Sequence, residues 1–167
     1  MQPCVFLDRD GVLIALAKEN ETYGFIYKKE DVEILLGVKD ALRALKERGF
    51  VLCVVTNQPA VARGLVSYQE MEMLHEFINV KFGGVIDKFY FCPHHPEMHP
   101  DVPEHAKKYR IACECRKPLP GMLSRAAQDF GIDLQKSWMI GDMITDIAAG
   151  ISAHCRTIFI ESAANKR

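Results

Sequence analysis

Four short polar clusters in this chain carry side chains that can do chemistry: Asp8-Arg9-Asp10-Gly11, Thr56-Asn57-Gln58, Cys92-Pro93-His94-His95 and Gly141-Asp142-Met143-Ile144-Thr145-Asp146. Brought together, Asp8, Asp10 and Asp142 would crowd like charges that need a cation or a proton among them. An oxygen-only donor set of that kind suits Mg²⁺, which takes one or two carboxylates, waters and a substrate phosphate. Thr56 and Asn57 add hydrogen-bond donors, and Lys117 adds a positive charge of the kind that binds phosphate oxygens. A carboxylate nucleophile, a metal, donors and a lysine together describe phosphoryl transfer through an aspartyl-phosphate. Asp146 reads first as a helix cap.

A second constellation has softer ligands. Cys92-x-His94, then 18 residues, then Cys113-x-Cys115 supplies three sulfurs and one imidazole, a common set for tetrahedral structural zinc. The competing reading is buried cysteines acting as small hydrophobes beside solvated histidines. The segment 92–118 holds five of the eight prolines, four of the six histidines and three cysteines. It reads as one long irregular loop, and such a loop in a compact domain needs a clamp. Cys4, Cys53 and Cys155 fall in or beside apolar runs and read as core.

The elements that must position these residues are strands and helices in alternation. Apolar runs at 4–7, 51–55, 88–91, 138–140 and 157–160 are rich in β-branched and aromatic residues and do not alternate with polar ones. That pattern predicts strands buried on both faces of a parallel sheet. Val38, Leu42 and Leu45 form a helical stripe over 38–48, closed by Gly49. Ser67 and Glu70 form a capping box opening a helix to about Lys81, before Gly83-Gly84. Pro120 can open a helix through Phe130 that Gly131 closes, and a last helix starts near Thr145 and ends before Cys155. The expected fold is an α/β three-layer sandwich around a parallel, Rossmann-like sheet. Each polar cluster follows a predicted strand, and ligands of open parallel sheets bind outside the strands' carboxyl ends.

Size and charge narrow the partners. The chain has 167 residues, 49% hydrophobic and 26% charged, which is one ordinary globular domain, 1–167. Its longest apolar runs, 12–17 and 50–55, are six residues each, far short of a membrane span. Twenty-one basic against 22 acidic residues give a net charge of −1, so neither nucleic acid nor a membrane surface is an expected partner. Met1-Gln2-Pro3-Cys4 has no basic stretch leading into an apolar one, so a cytoplasmic location with reduced thiols is expected.

In chain order, Asp8-Arg9-Asp10-Gly11-Val12, Thr56-Asn57, Lys117 and Gly141-Asp142 with Asp146 match four signatures of the haloacid dehalogenase superfamily of phosphatases, which the chain resembles over nearly its whole length. The resemblance implies that Asp8 is the nucleophile and that Asp10 is the acid that protonates the leaving oxygen and then activates water. It implies Mg²⁺ held by Asp8, the backbone carbonyl of Asp10 and Asp142. Thr56 and Lys117 would hold the transferring phosphoryl group, with Asn57 in support. The string Cys92-Pro-His-His-Pro…Cys113-x-Cys-Arg-Lys-Pro is similar to that of the D-glycero-D-manno-heptose 1,7-bisphosphate phosphatase group, whose relatives include histidinol-phosphate phosphatases. That likeness implies a capless fold with zinc on Cys92, His94, Cys113 and Cys115, His99 and His105 being possible substitutes for His94; a monomer is expected. It also implies Arg116 facing a phosphorylated sugar, and removal of the C7 phosphate on the way to lipopolysaccharide or another heptose glycan. The chain departs from that group at Pro59-Ala60, at Met143 where a lysine is usual, and in about six extra residues between Asp10 and Gly24. All of these fall in substrate-facing loops.

Three rival readings stand beside this one. A histidinol-phosphate phosphatase would need acidic residues for a cationic substrate, and the loop's Glu97, Asp101, Glu104 and Glu114 offer them. A polynucleotide 3′-phosphatase lacks the basic face it would need. A non-catalytic binding protein has no use for intact Asp8, Asp10, Lys117 and Asp142.

Overall fold

Five strands, β1 (Cys4–Leu7), β2 (Val51–Asn57), β3 (Lys88–Cys92), β4 (Trp138–Gly141) and β5 (Arg156–Phe159), form one parallel sheet in the order β3-β2-β1-β4-β5. These elements come from a computed structural model that describes residues 1–16, 26–96 and 102–161. Cys4 pairs with Val51, Val5 with Trp138, Cys53 with Lys88 and Trp138 with Arg156. The chain runs outward from β1 through β2 to β3, then returns to the other side of β1 for β4 and β5. This reversal opens a crevice at the carboxyl ends of β1 and β4.

Among the described residues five α-helices cover the sheet or its loops: α1 (Val38–Glu47), α2 (Tyr68–Lys81), α3 (Glu104–Lys107), α4 (Gly121–Phe130) and α5 (Ile144–Ser152). Leu42 of α1 and Met71, Leu74 and Ile78 of α2 pack with Val5, Leu7, Leu52 and Val54 on one face. Met122, Leu123 and Ala126 of α4 and Ala149 of α5 pack with Cys4, Phe6, Cys53 and Val55 on the other. Successive residues of β1 and β2 thus enter opposite cores, which is why both strands read as unbroken apolar runs. Fully buried side chains such as Phe6 and Leu52 each stabilise the fold by roughly 1.5–3 kcal/mol on leaving water. On α5, Gly150 is needed for packing: a Cβ there would lie 2.7 Å from Met139 Cβ and from Thr157 Cγ2.

The helix signals read locally are present as such. Ser67 accepts from the Glu70 amide while the Glu70 carboxylate accepts from the Ser67 amide. Gly49 and Gly131 have φ of 81° and 62° just past α1 and α4, the left-handed backbone that ends a helix. The three-layer α/β reading holds, and two expectations need correction. Burial on both faces fails for β3 and β5, whose Lys88, Arg156, Ile158 and Phe159 are exposed, because they are the sheet's edges. The segment 92–118 is also not wholly irregular, since α3 lies inside it. Glu97, His99, Asp101 and Gly24, with most of the extra residues before it, lie outside the described residues. All six cysteines are free, with Cys4, Cys53 and Cys155 in the core.

Candidate active site

Three of the four strand-end clusters, those after β1, β2 and β4 but not Cys92–His95 after β3, open on one cavity. It measures about 510 Å³ and is lined by Asp8, Asp10, Thr56, Asn57, Arg116, Lys117 and Asp142, with Asp146 and Met143 beside them. The Asp8 amide donates to the Ile140 carbonyl at 2.9 Å, so the β1–β4 ladder runs up to the site itself. Gly11 follows with φ 81°, and a Cβ there would collide with the Asp142 carboxylate. Glycine at this position therefore serves both the turn and the close approach of the two loops.

Lys117 organises the floor. It is almost fully buried, and its three ammonium protons all have acceptors: Asp8 Oδ1 at 2.8 Å, Val55 O at 2.7 Å and Asp146 Oδ1 at 2.6 Å. Burial works against this ammonium, but Asp8 and Asp146 outweigh it and hold its pKa above the ordinary lysine value. Asp146 is itself buried, and desolvation in the first place lifts its pKa above the usual carboxylate range against the pull of Lys117. Its other oxygen accepts from the Met143 amide at 3.0 Å. Asp146 is therefore both the helix cap that its position suggests and a partner of the lysine, a role the motif spacing leaves unspecified. Asn57 serves Lys117 rather than the open cavity: its amide clamps the Lys117 backbone carbonyl and N–H, both at 3.0 Å.

Ligand oxygens of Asp8, Asp142 and Asp146 lie within 4.8 Å of one another, all three residues being buried. With Asp10 they make four carboxylates, facing the two cations Lys117 and Arg9. The imbalance and the oxygen-only donors fit one hard divalent cation.

Arg9 is a residue whose task the sequence does not disclose. Its guanidinium is fully buried and bonds Asp10 through Nε at 3.1 and 3.2 Å and through NH2 at 3.0 Å. It also reaches the Ile26 carbonyl at 2.7 Å, Gln58 Oε1 at 3.0 Å and His75 Nε2 at 3.1 Å. Burial first, and Arg9 second, hold the His75 imidazole well below its ordinary pKa. Arginine only donates, so neutral His75 accepts through Nε2 and carries its proton on Nδ1. The sequence suggests that clustered carboxylates surround Asp10, whereas the structure puts Arg9 and Gln58 against it.

The softer constellation also closes. Cys92 Sγ is 3.5 Å from Cys113 Sγ and 3.7 Å from His94 Nδ1, and Cys115 Sγ is 3.3 Å from both His94 Nδ1 and Cys113 Sγ. A tetrahedron with metal–sulfur bonds of about 2.3 Å has edges of about 3.8 Å, so these atoms approximate the shell of one ion. Without a cation, sharing with Cys92 and then burial push the Cys115 thiol up strongly. A metal would reverse that preference. His105 is exposed on α3 and stands outside this cluster. Cys115 immediately precedes Arg116 and Lys117, and Arg116 NH1 donates to the His94 carbonyl at 3.1 Å. The metal-type cluster and the lysine of the cavity floor are thus joined by one continuous stretch of chain, 113–117.

Comparison with known proteins places the chain in a family. Residues 5–154 match the haloacid dehalogenase-like hydrolase family. A D-glycero-beta-D-manno-heptose-1,7-bisphosphate 7-phosphatase of Yersinia pestis is 40% identical over 158 residues, covering 93% of this chain and 78% of the relative. The enzyme of that name from Escherichia coli K12 is 37% identical, covering 93% and 76%. The crystal structure of a D,D-heptose 1,7-bisphosphate phosphatase from B. bronchiseptica, complexed with magnesium and phosphate, superposes with a TM-score of 0.77 at 27% identity, covering 97% of this chain and 82% of the other.

Proposed function

This chain belongs to the haloacid dehalogenase-like hydrolase family, and from that premise we propose that it removes the C7 phosphate of D-glycero-D-manno-heptose 1,7-bisphosphate through an aspartyl-phosphate on Asp8. The observation that carries this reading is Asp8 with Lys117 Nζ at 2.8 Å, in a cavity lined by Thr56 and Arg116. The names of relatives at 37–40% identity supply the substrate class.

An Asp8 carboxylate oxygen attacks phosphorus as the bond to the sugar oxygen breaks, and Asp10 gives that oxygen its proton. Asp10 Oδ2 already accepts from Arg9 and Gln58, while Oδ1 accepts from Arg9 Nε alone. Oδ1 is therefore the oxygen that holds the transferable proton. Water then attacks the phosphorus, its proton passes to Asp10, and Asp8 is regenerated with release of phosphate. Lys117 holds the attacking carboxylate in place, and Thr56 donates to a phosphoryl oxygen. Arg116 meets the rest of the substrate at the rim. Mg²⁺ would be held by Asp8, Asp142 and the Asp10 carbonyl, where it supplies charge neutralisation for the transferring group. Zinc would be held by Cys92, His94, Cys113 and Cys115 as a structural ion. We place the enzyme in the cytoplasm as a single-domain monomer; among the described residues no helix is long and apolar enough to cross a membrane.

Two measurements test these assignments. The first compares kcat/KM for heptose 1,7-bisphosphate, histidinol phosphate and a 3′-phosphorylated oligonucleotide. We expect at least a 100-fold preference for the heptose, about 2.7 kcal/mol of differential transition-state binding. A flat or inverted profile would overturn the sugar assignment and point to Pro59, Ala60 and Met143 as having redirected the pocket. The second is thermal melting with Mg²⁺. At about 100 times its Kd, a bound ion adds about 2.7 kcal/mol, or roughly 5–10 °C for a chain of this length. Asp142→Asn should reduce that rise to under about 2 °C, and an undiminished rise would remove Asp142 from the metal site.

A further inference from the structure

Gln58 is fully buried beneath the cavity, and the chemistry above uses it only as a donor to Asp10. Its amide bonds run in one direction only. Oε1 accepts from Arg9 NH2 at 3.0 Å, while Nε2 donates to Thr56 Oγ1 at 2.8 Å and to Asp10 Oδ2 at 2.9 Å. The amide cannot be reversed. Arginine has no acceptor, so the atom facing Arg9 must be the carbonyl oxygen, and the NH₂ group must face Thr56 and Asp10. Arg9 is fixed in turn by Ile26, His75 and Asp10.

The consequence falls on Thr56. A hydroxyl has one proton, and here its oxygen accepts from Gln58. The proton is therefore left to point into the cavity that Thr56 lines. We propose that Gln58 is a positioning residue that sets the hydrogen-bond polarity of Thr56, making it an obligate donor to the transferring phosphoryl group, and that Arg9 enforces this by fixing the amide's orientation. The second Nε2 bond ties the same amide to the carboxyl of Asp10. One buried side chain thus orients both the group that stabilises charge and the group that moves the proton. This inference rests on the phosphatase reading of the site.

The test is a double-mutant cycle in Gln58 and Thr56, run with whichever phosphate ester the wild type turns over fastest. Gln58→Glu keeps the shape and the acceptor toward Arg9 but replaces the donor with a second acceptor, so Thr56 turns its proton inward and Asp10 faces a second carboxyl group. Loss of one preorganised donor typically costs about 10²–10³ in kcat. We expect a fall in kcat of about 100-fold with KM within about threefold, because the donor matters most as charge develops. In the Thr56→Val background, which has no hydroxyl to orient, the same change keeps only its effect on Asp10 and should cost at least about tenfold less than in the wild type. Gln58→Met, an apolar replacement of similar length, should show the same non-additivity and covers the case in which the glutamate variant does not fold. An effect of equal size in both backgrounds, a loss confined to KM, or a change under threefold would each overturn the proposal. If the wild type hydrolyses none of the esters, the phosphatase reading itself fails; if it is active and Gln58→Glu is unaffected, only this inference does.

Discussion

Asp8→Asn is expected to abolish turnover, lowering kcat by at least about 10⁴-fold, as removal of a covalent nucleophile does elsewhere. The change is nearly isosteric and removes a negative charge from a floor that holds more carboxylates than cations. Lys117 keeps its bonds to Asp146 and to the Val55 carbonyl. Its anchoring does not depend on Asp8, and the melting temperature should move by only a few degrees. Rapid-quench labelling with a ³²P-phosphorylated substrate separates mechanism from mere damage. Wild type should show transient, acid-stable label on the protein, and the variant none. Substantial residual turnover in a folded Asp8→Asn protein would refute the aspartyl-phosphate route.

The second large effect concerns the four-ligand cluster. Freshly purified protein, handled without chelator, is expected to carry about one zinc per chain. Cys113→Ala should lose it, because three ligands hold the ion far more weakly than four. The consequence reaches the chemistry through the chain itself. Cys115 is joined directly to Arg116 and Lys117, and Arg116 bonds the His94 carbonyl. Freeing the cluster therefore releases the rim arginine and strains the position of the buried lysine. We expect kcat/KM to fall by about 10-fold or more. The melting temperature should drop by at least ~5 °C, which corresponds to about 2 kcal/mol in a chain of this length. Limited proteolysis should cut within 92–118 in the variant and not in the wild type. Metal analysis that finds no zinc in the wild-type protein would remove the structural-ion assignment. Full activity in a zinc-free variant would break the link between cluster and floor.

The two tests bear on different parts of one design. Lys117 is held through its backbone by Asn57 from β2 and through its ammonium by Asp8 and Asp146 from β1 and α5. The loop that carries it is closed by Cys92, His94, Cys113 and Cys115. A lysine with all three protons engaged loses little orientational freedom when substrate arrives. That is what a site relying on positioning and charge stabilisation needs.

Much of this was legible in the sequence, and for local reasons. The strands showed as unbroken apolar runs because β1 and β2 are buried on both faces. The start of α2 and the ends of α1, α2 and α4 showed because a capping box and left-handed glycines act over three or four residues. The carboxylates and the Cys/His set that the fold brings together were conspicuous because their chemistry is carried by residue type, and most of them sit just past strand ends, where a parallel sheet exposes them. What the chain order alone could not reveal were pairings between distant residues. Lys117 meets Asp8 across 109 positions, and Arg9 meets Gln58 across 49 and His75 across 66. Those meetings depend on β1 lying between β2 and β4, a choice made by packing across the whole sheet. For the same reason only the tertiary structure decided that β3 and β5 are edges, that Asp146 serves Lys117 as well as its own helix, and that Asn57 grips a backbone. It also decided that Asp10 faces a buried arginine rather than other carboxylates. Residue types determined which reaction this chain could attempt, because they fix charge, nucleophilicity and ligand hardness. The fold decided which proton points where, because hydrogen-bond direction is set by partners that only the folded chain brings within 3 Å.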